Sequence, residues 1–215
     1  MSSQNEETAK PRIDGDSYLK LIGDTKAFLE ATFFIEERIR ELKVEDGNQN
    51  RIGGSTGWRI HNVWESLKTA SHFNFGIALE LRLKCILELC GLHKEGRAAS
   101  HNLEKIYSLI PDEISRELED LYAHEMKNRS LKLKAFMRSE SEPTDTPSNN
   151  DLKNLKDLCI YFDKDVKLWL KRYSWEELLN KTWVHYIEDL SPLMDFVQEA
   201  EEIGNRMARE LGIVK

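Results

Sequence analysis

The sequence predicts an all-α fold: a helical bundle around one long central helix, with a flexible insertion. Three observations predict it. Apolar residues recur at intervals of three and four along nearly the whole chain, whereas strand-like alternation is scarce. Only five prolines interrupt 215 residues. The segment 57–92 is apolar on two faces, the pattern of a helix with neighbours on both sides.

The polar start "MSSQNEETAKPRIDGD" has no apolar h-region and predicts no signal peptide. Residues 1–23 are expected to be a flexible tail. A first helix is expected from Asp24, its N-cap, to about Lys43, with Phe28, Ala31, Ile35, Ile39 and Leu42 on one stripe. "EDGNQNRIGGSTG" (45–57) then predicts a loop. It is glycine-rich, but it lacks the GK[ST] ending of a phosphate-binding loop and follows no strand.

The central helix carries Ile60, Val63, Trp64, Leu67, Ala70, Asn74, Ile77, Leu81, Cys85 and Leu89 on one face, and Leu79, Leu83, Ile86 and Cys90 on a second. Gly91 and the polar "HKEGRAA" end it. A short helix is expected from His101 to Leu109, stopped by Pro111, and a longer one from Asp112 to Ala135 with Ile114, Leu118, Leu121 and Tyr122 inward. "RSESEPTDTPSNN" (138–150) is polar and proline-bearing and predicts a mobile loop. Helix resumes near Asp151 with Leu152, Leu155, Leu158, Cys159, Phe162, Val166 and Trp169 in register. "SWEE" (174–177) has the form of a capping box. The last helix is expected from Ser191 as N-cap with Pro192 at its first position, and Leu193, Phe196, Val197, Ala200, Ile203, Met207 and Leu211 as its stripe. Residues 24–215 read as a single domain.

A net charge of −7 excludes nucleic-acid binding by the molecule as a whole, so such contact needs a local basic patch. The best one is "KNRSLKLKAFMR" (127–138), read either as a solvated helix face or as a groove for a nucleic-acid backbone. No apolar run reaches membrane-spanning length. Cys85, Cys90 and Cys159 form no CxxC, which fits reduced thiols in a cytoplasmic protein, and Cys85 and Cys159 fall on apolar faces. His61, His72, His93 and Cys90 show no ligand spacing of the HExxH kind, so neither metal nor cofactor is expected. The five tryptophans are assigned to the core or to a dimer interface.

The chemistry-bearing residues gather around "RAASHNLEKIY" (97–107). Arg97 stands four positions before His101, at the opening of a new helical pattern. Free N–H groups at such a helix start favour an anion. Glu80 and Lys84 stand four apart on the central helix, but Leu79, Leu81, Leu83 and Cys85 surround them. Charges partly buried in that way need partners, and His101 and Arg172 are the candidates if the late helix packs on the central one. With Tyr173 added, the cluster is either a structural clasp or a nucleotide or RNA pocket.

The run "ALELRLKCILELCGLHKEGRAASHNLEKIYSLIP" (78–111) resembles the HEPN superfamily of prokaryotic helical domains. Ala78, Glu80 and Lys84 fill an A-x-E-x-x-x-K helix pattern, and Ser100, His101, Asn102 and Leu103 a [ST]-H-[DN]-L step. Arg172, Tyr173 and Glu176 fit the R-Y-x-x-E step near the end of a late helix in many such proteins. The resemblance spans about Trp58 to Tyr186. It implies a bundle of four or five helices, often a homodimer. Some members are metal-independent RNases, some partner a minimal nucleotidyltransferase in toxin–antitoxin pairs, and some bind nucleotides or act in defence. The RNase members carry R-x(4–6)-H; here Arg97 and His101 leave three residues between them, Arg116 and His124 seven, and Arg172 and His185 twelve. If the chain cleaves RNA, the resemblance implies His101 as the base with Arg172 or Arg97 at the phosphate, and Glu80, Lys84, Asn102 and Tyr173 around the ligand. The other reading is a non-catalytic helical scaffold or dimerisation module.

Overall fold

The computed structural model describes residues 13–49, 56–99, 101–127, 129, 131, 133–137, 152–163 and 183–214. Among them the chain forms α1 (Gly15–Gln49), α2 (Thr56–Leu89), α3 (His93–Ala98), α4 (Leu103–Ser108), α5 (Asp112–Met126), β1 (Leu133–Met137), α6 (Leu155–Tyr161), β2 (Trp183–Ile187) and α7 (Ser191–Glu210). The fold is all-α, with one two-stranded antiparallel ribbon that pairs Leu133 with Ile187 and Met137 with Trp183. No helix among the described residues is long and apolar enough to cross a membrane.

The central helix is α2, as expected. It packs along α1, lies against α7, and touches α3, α4 and β2. Its expected second face supplies core residues Leu79, Leu83 and Ile86, which meet Leu103 and Ile106 of α4, Leu118 and Tyr122 of α5, Leu155 and Leu158 of α6, and Phe196 and Val197 of α7. Gly91 closes α2 with a positive φ of 75°: its N–H reaches the Glu88 carbonyl, and the Leu92 N–H the Leu87 carbonyl.

Several boundaries differ from expectation. Helix α1 begins at Gly15, so residues 15–23 belong to the folded body. Tyr18 and Ile22 are buried there, in a second cluster with Ile13, Cys85, Leu89 and Ala208. Asp14 starts this helix by accepting the Ser17 N–H at 2.8 Å, and that bond holds its carboxyl below the usual range. Helix α1 also continues to Gln49, into the segment expected as loop.

Its buried seam overlaps the apolar stripe read from the sequence only in part: Ile39 and Leu42 are buried, Phe28, Ala31 and Ile35 half-buried, and polar residues fill the rest. Thr25, Thr32 and Glu36 are buried with Tyr18, Ile22, Ile39 and Leu42, whereas Phe33 and Phe34 face outward. The threonines satisfy themselves, each hydroxyl donating at 2.8 Å to the carbonyl four residues back, Leu21 or Phe28. Helix α5 ends at Met126 rather than Ala135, and 133–137 is strand. Its partner β2, "WVHYI", is rich in aromatic and β-branched residues, which pack well on a pleated surface. Helix α7 has Leu190, not Ser191, as N-cap. Asp189 accepts the Ser191 N–H instead, at 2.9 Å. Burial would raise the Asp189 carboxyl, but the Ser191 hydrogen bonds and the charges of Lys68 and Arg40 outweigh it, and it stays below the usual range. Residues 1–12, the 138–150 segment and the "SWEE" capping box lie outside the described residues, as do the side chains of the five tryptophans.

Two polar fastenings tie α2 to its neighbours. Arg82, almost wholly buried on α2, donates from Nε to the Val197 carbonyl and from Nη2 to Glu201, both at 3.1 Å, and Lys26 of α1 reaches the same Glu201 at 3.0 Å. Elsewhere on α2, the Lys68 ammonium donates to both Glu36 oxygens, at 3.0 and 2.7 Å, and to the Glu188 carbonyl at 2.8 Å. Ser71 adds a hydroxyl to Glu36 at 2.5 Å. One turn from Lys68, the His72 Nε2 accepts the Ile187 N–H at 2.8 Å. The proton must therefore sit on Nδ1, which donates to the Lys68 carbonyl at 2.8 Å. Burial, reinforced by the nearby Lys68 charge, depresses the His72 pKa to about 3 and keeps the ring neutral.

Two outcomes follow for stability. Lys68→Met leaves the Glu36 carboxylate uncompensated in the interior and is expected to cost about 3–5 kcal/mol in urea unfolding, most of which the paired Glu36→Met/Lys68→Met change recovers. For His72, the unfolded chain binds a proton as pH falls below the ordinary value of 6.5, while the folded chain does not until about pH 3. Stability is therefore full above pH 6.5 and falls towards pH 3, by about 1.4 kcal/mol per pH unit from this one group. Urea unfolding at pH 7 and pH 5 measures that slope, which should shrink by this amount in His72→Gln.

Candidate functional site

The expected cluster is partly assembled. Glu80 and Lys84 are one turn apart on α2, and Lys84 Nζ donates to Glu80 Oε1 at 2.7 Å. The turn between α3 and α4 sets His101 over the same carboxylate, with Nδ1 2.9 Å from Oε1 and 3.1 Å from Oε2. A carboxylate only accepts, so Nδ1 carries the proton. The Glu80 side chain is 10 % exposed and that of His101 is 70 % exposed. The ring is anchored on its inner nitrogen and open to solvent otherwise. Arg172 and Tyr173 lie outside the described residues, as does the side chain of Arg97.

His101 stands before the helix rather than at its first position. Asn102 is the N-cap of α4, with φ −86° and ψ 101°, and its Oδ1 accepts the Lys105 N–H at 2.8 Å. The two N–H groups left over go to Asp163: Leu103 donates to Oδ1 at 3.0 Å and Glu104 to Oδ2 at 2.8 Å. The first three amides of α4 are thus satisfied by the protein's own acceptors. The anion expected at this helix start is the chain's own carboxylate. Asn102, expected beside a ligand, uses its oxygen as a cap.

The corner is braced from behind. Glu119 of α5 accepts the Tyr107 hydroxyl at 2.6 Å and the Leu155 N–H at 2.9 Å, joining α4, α5 and the start of α6. Burial, then the Glu119 hydrogen bond and charge, push the Tyr107 phenol far above its usual value, so it serves as a donor.

Other candidates resolve differently. No group of three His, Cys, Asp or Glu among the described residues could hold a metal ion. His72, weighed as a ligand, spends both ring nitrogens on backbone groups. Burial pushes the Cys85 thiol up to about 12 and raises those of Cys90 and Cys159. Among the described residues of the strip 127–138 none is helix: α5 has ended at Met126, Leu133–Met137 is strand, and Arg129 is bound to Asp195.

Sequence reasoning missed Lys68, Glu36 and Asp163. The first two stand at seam positions that an apolar pattern would have skipped, and Asp163 acts on amides 59 and 60 positions away. Comparison with models of known protein families, with curated proteins and with solved structures finds no match.

The capping arrangement gives a direct check. Asn102→Ala and Asp163→Ala are each expected to lower stability by about 1 kcal/mol, read as a shift of the urea midpoint at unchanged slope.

Proposed function

We propose that this is a HEPN-like helical protein with an RNA- or nucleotide-linked role of the defence or toxin–antitoxin type, working as a metal-independent endoribonuclease. The reading takes the protein to be a cytoplasmic homodimer, with a minimal nucleotidyltransferase as the partner class. The single observation that carries it is the imidazole of His101, held on Nδ1 by the nearly buried carboxylate of Glu80 with its other nitrogen unclaimed by that contact. A carboxylate on Nδ1 fixes the tautomer and leaves the Nε2 lone pair to take a proton.

In the proposed reaction Nε2 removes the proton of a ribose 2′-hydroxyl. The 2′-oxygen attacks the adjacent phosphorus, the bond to the 5′-oxygen breaks, and the imidazolium returns its proton to that leaving oxygen. The chain then ends in a 2′,3′-cyclic phosphate. Developing charge on the phosphoryl oxygens calls for a cation. Lys84, one turn along the same helix face, supplies local positive charge, and Arg172 is the residue that the resemblance assigns. Tyr173 and the Asn102 amide nitrogen are assigned to ligand contact.

A second reading is favoured by the Asp163 and Asn102 caps, which satisfy the α4 amides internally. Under it the cluster is a clasp in a non-catalytic scaffold or dimerisation module.

Cleavage of single-stranded RNA in EDTA separates the two. The RNase reading expects His101→Ala to lose roughly 10²-fold or more of the rate with little change in melting temperature, and Glu80→Gln to lose less. Wild-type cleavage that survives His101→Ala removes the assignment. No cleavage by the wild type, with a melting temperature lowered by several degrees in His101→Ala, establishes the clasp.

A further inference from the structure

The crevice between α1 and α7 belongs neither to the Lys68 fastening nor to the His101 corner. Lys26, Leu29 and Glu30 line it from α1, and Glu199, Glu201 and Glu202 from α7, around about 420 Å³. Leu29 packs against the main core and gives the crevice an apolar floor. Its charges are unbalanced. Glu201 is taken by Lys26 and Arg82, whereas Glu30, Glu199 and Glu202 make no ion pair among the described residues.

The same face of α1 continues onto two exposed aromatics. Phe33 follows Lys26 by seven positions and Leu29 by four, and Phe34 follows Glu30 by four, so helical spacing sets them in line with the crevice. They are 47 % and 68 % exposed and pack edge to face, with centroids 6.0 Å apart. Neighbouring exposed phenylalanines at the end of a groove mark a contact surface rather than a solvated one.

We propose that this crevice docks a basic amphipathic helix of a partner protein. From Lys26 to Phe34 the surface runs ~12 Å, the rise of about two helical turns. Apolar side chains at i, i+3 or i+4, and i+7 of the partner reach Leu29, Phe33 and Phe34, and flanking lysines or arginines meet Glu30, Glu199 and Glu202. Charge selects this occupant. Phosphate backbones are repelled by three carboxylates that no described residue pairs, and a second copy across a twofold axis would bring the same carboxylates against themselves.

The test titrates the full chain with a fluorescein-labelled synthetic helix of leucine and lysine in that spacing, beside a peptide with glutamate for every lysine. The lysine peptide is expected to bind more tightly and to weaken with added salt. Glu199→Lys/Glu202→Lys and Phe34→Ser should each weaken it by about tenfold, while Asp112→Lys/Glu113→Lys on α5 leaves it unchanged. These positions are at the surface, and thermal melts verify that the variants fold. Equal binding of both peptides, or undiminished binding by the crevice variants, overturns the proposal. So does sedimentation in which Phe34→Ser turns a wild-type dimer into a monomer, since the occupant would then be a second copy.

Discussion

The architecture turns on a single desolvated charge pair. Lys68 and Glu36 face one another between the two longest helices, and neither has water to fall back on. Bringing both out of solvent is costly, so the pair is tolerable only where every remaining donor and acceptor is also met. That condition reaches well beyond α1 and α2. Lys68 donates a further hydrogen bond to the Glu188 carbonyl, and the adjacent Ile187 N–H is met by His72. A purely apolar seam would let two helices slide by a turn at small cost; this one accepts a single register and a single position for the end of β2.

His72 and His101 show how far environment decides what a side chain can do. Both use one nitrogen to answer a neighbour. His72 is enclosed, and burial together with a nearby ammonium bars it from taking a charge. His101 is exposed and leans on an anion, which favours a proton on the side facing that anion and leaves the other side to solvent. Only the second arrangement is available to a solute. Its position depends on α4, which in turn is fixed by Asp163 and by the Glu119 brace, so residues away from the ring govern where the imidazole points.

Much of the bundle was legible in the sequence, because apolar periodicity reports burial directly. The central role of α2, its end at Gly91, and the inward set of α7 from Leu193 to Ala200 follow from it, whereas Leu211, expected on the same stripe, is exposed at the helix end. Where the pattern misled, the cause was a polar group satisfied in a way that sequence does not display. Thr25 and Thr32 bond to their own helix, and Glu36 to a lysine 32 positions away, so the α1 seam reads as polar although it is buried. The ribbon escaped notice because each strand has five residues and its partner lies far along the chain. For the site, the Glu80–Lys84 pair was readable from helical spacing, and His101 entered only as a candidate partner for charges that burial leaves in need of one. The Asp163 cap was not, since a carboxylate after an apolar helix has many equally ordinary explanations.

The cysteines carry a consequence of their own. Thiolates, not thiols, attack alkylating and oxidising reagents, and burial holds all three thiols protonated. Cys85 belongs to the small cluster of α1, α2 and α7, and Cys159 to the main core beside α4 and α5. Each is chemically silent while its cluster is closed and becomes reactive only when that part of the molecule opens. The native chain thus contains two separate reporters of breathing motions, one for each cluster, without any label being introduced.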